Sequence, residues 1–89
     1  METIYIITFH SANNSLLAYK LLKNCRLKVV MIQTPCRLSA GCARSIEVKE
    51  KDIDTAVSTI KENSLSIQGI YKKFINPNTR RYDYVEVYY

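Results

Sequence analysis

Hydrophobic and polar residues change their spacing several times along the chain, and each spacing predicts one secondary-structure element. Residues 4–9 are β-branched and aromatic on both faces, which predicts a strand buried on both sides. Ser11 follows this strand, and a short polar side chain there is typical of a helix N-terminus. We therefore expect a first helix whose apolar stripe contains Leu17, Ala18, Leu21, Leu22 and Cys25.

The middle of the chain predicts two strands joined by a loop. Residues 28–33 are rich in β-branched residues and predict the second strand. Residues 34–41 contain Pro, Ser and Gly and predict a loop. Residues 44–48 alternate, which predicts a half-exposed third strand with Ile46 and Val48 inward and Ser45 and Glu47 outward.

A second helix and a fourth strand follow. The helix is expected to begin at Asp52 and to end at Asn63 and Ser64. Residues 66–75 predict the fourth strand. The buried positions of the helix are expected at the i, i+3, i+4, i+7 spacing of Ile53, Ala56, Val57 and Ile60.

The predicted order β-α-β-β-α-β is typical of an α+β, ferredoxin-like sandwich, in which two helices cover one face of an antiparallel sheet. A turn at residues 76–79 is followed by an alternating segment at residues 80–89, which predicts a fifth strand in a hairpin with the fourth. We expect a single domain over residues 1–89, with a core at 1–75 and a hairpin extension at 76–89.

Composition narrows the class of protein. The 89 residues contain no apolar run of eighteen and show no basic-then-apolar leader, so we expect a cytoplasmic protein without a membrane span. Three cysteines cannot form a closed disulfide framework, and thiols in that compartment are normally reduced. The net charge is +5, and eight of the thirteen Lys and Arg residues lie between positions 20 and 51. This charge suits an anionic ligand, an acidic partner or a phosphate backbone, or is an ordinary solvated surface.

The segment from Pro35 to Cys42, here named the cysteine loop, is the only concentration of chemically active residues in the sequence. If the first two strands run in the same direction, His10, Ser11 and the first helix amides lie at the same end of the domain as residues 36–42. A helix N-terminus and the flanking Arg37 and Arg44 favour a thiolate there. We consider Cys42 a candidate working thiol and expect Cys36 to be exposed.

The other candidate roles have simpler alternatives. We expect Cys25 to be a small buried hydrophobe, and His10 either tunes a thiolate or only caps the strand end. Five residues separate Cys36 from Cys42, which is compatible with a disulfide but differs from Cys-x-x-Cys. No metal site is expected.

Residues 35–43, PCRLSAGCA, resemble the signature loop of the selenium/sulfur carrier protein-like family of small bacterial and archaeal domains. The family pattern is Pro-Arg-x-Ile/Leu-Ser-x-x-Cys-Gly, and four of the nine positions match, namely Pro35, Leu38, Ser39 and Cys42. Residues 9–11, Phe-His-Ser, are similar to the family's Phe-x-Ser before its first helix, and the resemblance extends over residues 4–71. The sequence departs from the pattern at Cys36, which replaces the family's Arg, and at Ala43, which replaces its Gly.

The resemblance implies a carrier, not an enzyme, that holds sulfur or selenium on Cys42 as a persulfide or selenosulfide. The replacement of the family's Arg by Cys36 means either a different placement of charge or an added resolving thiol. The resemblance implies no cofactor, and sulfur- or selenium-transfer proteins as partners. The substrate-binding candidates are the loop and strand-end residues Arg37, Ser39, Gly41, His10 and Ser11.

Other function classes are open. Five of the seven tyrosines follow residue 70, which predicts either a protein-protein assembly module, such as a homodimer, or a covered sheet face. Nucleic acid is not an expected partner, because residues 44–48 lack the aromatic pattern of RNA-binding strands. A hydrolase with this fold would need a glycine-rich loop that binds phosphate. The sequence lacks such a loop, since its only glycines are Gly41 and Gly69.

Overall fold

The structure, a computed structural model, describes residues 3–38 and 44–89. It is an α+β arrangement of a five-stranded antiparallel sheet and two helices, which confirms the predicted class. A 3₁₀ turn, Glu50–Asp52, precedes the second helix. In chain order the elements are β1 (Ile4–Thr8), α1 (Ala12–Asn24), β2 (Val30–Gln33), β3 (Arg44–Lys49), α2 (Ile53–Glu62), β4 (Gly69–Ile75) and β5 (Tyr82–Val87).

The strands lie in the order β2-β3-β1-β4-β5, and each neighbouring pair is antiparallel. Strand β1 is central and pairs with β3 and β4. Because β1 and β2 both run antiparallel to β3, they point in the same direction. Strand β5 extends the sheet through the predicted hairpin, so the sheet has one strand more than a simple ferredoxin-like fold. The hairpin turn is closed where the Arg80 amide donates to the Asn76 carbonyl at 2.8 Å.

Both helices pack on one face of the sheet. Tyr5, Ile7 and Phe9 point from β1 and its end into a core that also contains buried residues of α1 and α2. All four positions predicted for the buried stripe of α2 are buried, which confirms that prediction. The core is completed by Ala18, Leu22, Val29, Ile46, Val48, Ile53, Ala56, Val57, Ile60 and Ile70.

The predicted stripe of α1 is wrong in part. The buried residues of α1 are Ser15, Ala18 and Leu22, whereas Leu17 is exposed. The helix is therefore rotated so that its i, i+3, i+7 line faces the sheet, and the neighbouring leucines lie at the edge of the contact. Cys25 is an exposed free thiol, not a buried hydrophobe, because it is the C-cap of α1 and the chain turns away at Arg26 with φ 64°.

The opposite face of the sheet is also buried at its centre. Ile6, Thr8 and Ser45 are fully buried although strand alternation points them away from the helices. The prediction that Ser45 faces outward to solvent is therefore wrong. On this face an ion pair spans β1: Lys73 Nζ on β4 lies 3.5 Å from Glu47 Oε2 on β3.

Tyr71 is paired with Ile6 in the ladder, which puts its side chain on this same face. The ring lies over Gly69, where an added Cβ would be 2.9 Å from the ring carbon Cε1. Burial, and then the charge of Glu86, raises the pKa of Tyr71. The glycine thus permits a close approach of the aromatic ring to the backbone of β4.

Strand ends differ from the predicted ones by one to three residues. Strand β1 ends at Thr8, β2 begins at Val30, β4 begins at Gly69 and β5 is limited to Tyr82–Val87. Residues 39–41 of the predicted loop lie outside the described residues. Within the parts of the chain that the structure describes, neither helix has the length and apolar character needed to cross a membrane.

Burial of β1 on both faces predicts a specific pattern of stability losses. Ile6→Val and Ile7→Val should each lower the free energy of unfolding by about 0.5–1.5 kcal/mol, since each removes one buried methyl group. Urea unfolding measures both values. The control is Val30→Ala on edge strand β2, where the side chain is 55% exposed and the loss should stay below about 0.5 kcal/mol. A loss for Ile6→Val as small as that of the control would contradict the burial of the second face.

Candidate functional site

The base of the cysteine loop is held by two buried hydroxyls. Thr34 directly follows β2 and Ser45 is the second residue of β3, and their Oγ1 and Oγ atoms lie 2.6 Å apart, one donating to the other. Gln33 and Arg44 are paired in the ladder just before this contact. The cysteine loop therefore connects the end of β2 to the start of β3, and these two strand ends are paired with each other. The sequence analysis did not identify either hydroxyl residue as part of the site. Their positions directly before and after the loop could have indicated a contact at its base.

The described first part of the loop is a turn that exposes Cys36. The amide of Leu38 donates to the carbonyl of Pro35 at 2.9 Å, which folds residues 35–38 into one turn. Cys36 is an exposed free thiol within it, as predicted. Ser39, Gly41 and Cys42 lie outside the described residues, so their roles and the Cys36–Cys42 disulfide stay predictions.

Arg37, the residue after Cys36, is engaged by a carboxylate from the C-terminal hairpin. Its Nη1 atom lies 2.9 Å from Oδ1 of Asp83 on β5. Strands β2 and β5 form opposite edges of the sheet. This contact therefore shows that the segment after β2 and the β4–β5 hairpin approach each other.

Asp83 is oriented by more than one donor. The backbone amide of Tyr84 donates to its Oδ1 at 2.9 Å. That bond is the main cause that lowers the pKa of the Asp83 carboxyl, and the Asn76 side chain and the charge of Arg37 act in the same direction. Asp83 is therefore a carboxylate at neutral pH, held in place by its own strand. Sequence reasoning missed it, since a contact across 46 positions leaves no local pattern.

His10 and Ser11 lie at the end of the sheet where the cysteine loop begins. Thr8, the last residue of β1, is paired with Ser45 at the loop base, and β1 runs in the same direction as β2. Ser11 is the N-cap of α1, as predicted, and its Oγ accepts from the amide of Asn14 at 3.1 Å. His10 is exposed between β1 and this cap. The register thus places both residues at the end of the sheet where the loop leaves β2. Arg37, in contrast, contacts Asp83, whose ladder partner Phe74 lies at the opposite end of the sheet.

The C-terminal tyrosines divide into packed and exposed ones. Tyr89 meets Tyr5 edge-to-face with ring centroids 6.3 Å apart, and its carbonyl accepts from Lys61 Nζ. Burial and the hydrogen bond with Tyr5 raise the pKa of Tyr89 to about 12. Tyr82 and Tyr88 are exposed. Through its contact with Tyr5, Tyr89 packs against the core on the helix side of the sheet.

The acidic, histidine and cysteine side chains do not converge in the described ranges. Among residues 3–38 and 44–89, no group of three or more of them could hold a metal ion. The chemistry of the described site is therefore that of a thiol, a paired guanidinium and two buried hydroxyls.

Comparison with known proteins identifies the family. The model of the family described as "putative Se/S carrier protein-like" matches residues 4–72, which is most of the chain. The chain belongs to this family, and the resemblance seen in the loop sequence is confirmed. No curated protein and no solved structure matches it. The matched region contains the whole cysteine loop, whereas the end of β4 and all of β5 lie beyond it.

The hydroxyl pair at the loop base predicts a non-additive effect on stability. Ser45→Ala should lower the free energy of unfolding by about 1–3 kcal/mol, because it leaves the buried Thr34 hydroxyl without its partner. The double variant Ser45→Ala with Thr34→Val should cost less than the sum of the single losses. Chemical denaturation of the four proteins measures the coupling.

The matched control for this cycle is Ser58→Ala, because Ser58 is exposed on α2 and its removal should be close to neutral. Additive losses at positions 34 and 45 would show that the two hydroxyls do not act as a pair.

Proposed function

We propose that the chain is a sulfur or selenium carrier that holds the chalcogen on Cys42 and uses Cys36 as a resolving thiol. The observation that carries the proposal is the family match, which covers the whole loop from Pro35 to Cys42. The exposure of Cys36 as a free thiol in the same loop supports the second role. A carrier thiol has to be reached by both a donor and an acceptor, and segments that connect strands generally run over the surface of a protein.

Loading is a thiol exchange without net oxidation. The Cys42 thiolate attacks the outer sulfur of a donor persulfide, the S–S bond of the donor breaks, and the donor thiolate leaves with the electron pair of that bond. The new persulfide on Cys42 keeps the outer sulfur and its proton. For selenium, the analogous adduct is a selenosulfide.

Cys36 supplies a route for release. Its thiolate attacks the inner sulfur of the Cys42 persulfide, a Cys36–Cys42 disulfide forms, and hydrosulfide leaves. The outer sulfur is thereby reduced, and the two cysteines are oxidised by the same two electrons. A thiol reductant then restores both cysteines. The same loop can alternatively hand the outer sulfur directly to an acceptor thiol, in which case no disulfide forms.

We make further proposals about the fold, the donor site, the compartment and the partners. Elements β1 to β4 with both helices form a ferredoxin-like core, and β5 is an addition to it. His10, Ser11, Arg37, Ser39 and Gly41 are the residues we propose around the incoming donor. The chain acts in the cytoplasm with sulfur- or selenium-transfer proteins, where reduced thiols are maintained, and it is not itself an enzyme.

Intact-mass measurement after incubation with glutathione persulfide tests the carrier role. The wild-type chain should gain the mass of one sulfur atom, and Cys42→Ser should not, because the nucleophile is gone. Cys36→Ser should keep the added sulfur longer than wild type, since the resolving thiol is missing.

The matched control is Cys25→Ser, which removes an exposed thiol outside the loop and should load like wild type. Equal loading of wild type and Cys42→Ser would refute the assignment of the carrier thiol.

A further inference from the structure

We propose that Asp83 is a positioning residue for the cysteine loop: by pairing with Arg37 it holds the cation next to Cys36 in a neutralised state and so restrains the reactivity of that thiol. The biological meaning of this restraint rests on the proposed carrier function. The physical effect on Cys36 does not, because it can be measured on the unloaded protein.

The ion pair is built from one strand and one turn whose positions are fixed independently. Asp83 is held by the amide of Tyr84, and Arg37 lies in the turn closed by the bond from Leu38 to Pro35. The Arg37 side chain is 61% exposed and that of Asp83 34%. An exposed pair of this kind adds little to stability, so its main effect is on the position of the guanidinium.

The location of Asp83 adds a second, independent observation. The family model ends at residue 72, and Asp83 belongs to the strand beyond it. This chain therefore reaches the family's thiol loop from an element outside the matched region. The added hairpin is placed to act on the loop, and Asp83 is the residue through which it does so.

The expected effect follows from charge. A thiolate is stabilised by a nearby cation, and the thiolate is the nucleophilic form. Asp83 cancels much of the positive potential that Arg37 would otherwise create at Cys36. A unit charge about 10 Å away in a water-like medium changes a thiolate population about twofold. Loss of the carboxylate should therefore accelerate reaction at Cys36 by roughly that factor.

Alkylation of Cys36 measures this effect directly. The background is the full chain with Cys25→Ser and Cys42→Ser, so that Cys36 is the only thiol, and the probe is iodoacetamide at neutral pH and low salt. Asp83→Asn should react about twofold faster than the background, whereas Asp83→Glu should restore the slow rate. At 1 M salt the difference should vanish, because a Debye length of about 3 Å screens the pair.

The matched control is Glu86→Gln. It makes the same change in net charge on the same strand, but Glu86 contacts the hydroxyl of Tyr88 at 3.3 Å. Glu86→Gln should leave the rate of alkylation closer to that of the background. Equal acceleration by Asp83→Asn and Glu86→Gln, or no acceleration by Asp83→Asn, overturns the proposal. So does an Asp83→Glu variant that reacts as fast as Asp83→Asn.

Limited digestion with trypsin reports on the ion pair without any thiol chemistry. Trypsin has to bind a guanidinium before it cleaves, so release of Arg37 should speed the cut after Arg37 in Asp83→Asn but not in Glu86→Gln. A faster cut with an unchanged alkylation rate would mean that the pair only tethers the loop, which overturns the positioning role. Failure of Cys42 to accept sulfur would refute the carrier function while leaving both of these results unchanged.

Discussion

Strand β1 is buried on both of its faces and has a strand paired along each side, and this burial determines where the other elements lie. Its odd-numbered residues enter the helix-side core, and Ile6 and Thr8 are fully buried on the other face. A strand in this position cannot slip by one residue without exchanging the two sets of side chains. The register of β1 in turn sets that of β3 and β4, and β3 sets that of β2. The start of α1 and the loop after β2 are thereby brought to the same end of the sheet.

Two contacts attach the cysteine loop to the sheet, one at its base and one in its first turn. Its base is closed by the buried hydroxyls of Thr34 and Ser45, which are specified by the core. Its first turn is also joined to β5 through Arg37 and Asp83 at the surface. A buried hydrogen bond of this kind is costly to leave half-made, whereas an exposed ion pair is cheap to open. The loop is therefore fixed by a buried contact where it leaves the sheet, and its first turn, which carries Cys36, is held by the weaker of the two contacts.

Sequence reasoning was most successful where one local pattern determined the outcome. The i, i+3, i+4, i+7 spacing from Ile53 to Ile60 predicted the buried face of α2, and the loop sequence from Pro35 to Cys42 was sufficient for the family. For α1 it was right only in part: Ala18 and Leu22 are buried as predicted, but leucines cover more than one face of that helix, and packing on the sheet buried Ser15 and left Leu17 exposed. Ser45 was assigned to solvent because alternation describes one buried face and gives no sign of a second. Asp83 was missed because its role depends on a contact between the two edges of the sheet.

We propose Cys42 as the reactive thiol of this protein, and competitive alkylation of the three cysteines in the native wild-type chain is the sharpest test of that assignment. Cys25 serves as an internal reference, because it is exposed at the C-cap of α1 and does not belong to the loop. Peptide mass spectrometry of protein labelled briefly with substoichiometric iodoacetamide gives the relative rates. We expect Cys42 to be labelled first, ahead of Cys36 and Cys25. Labelling of Cys42 no faster than that of Cys25 would contradict it.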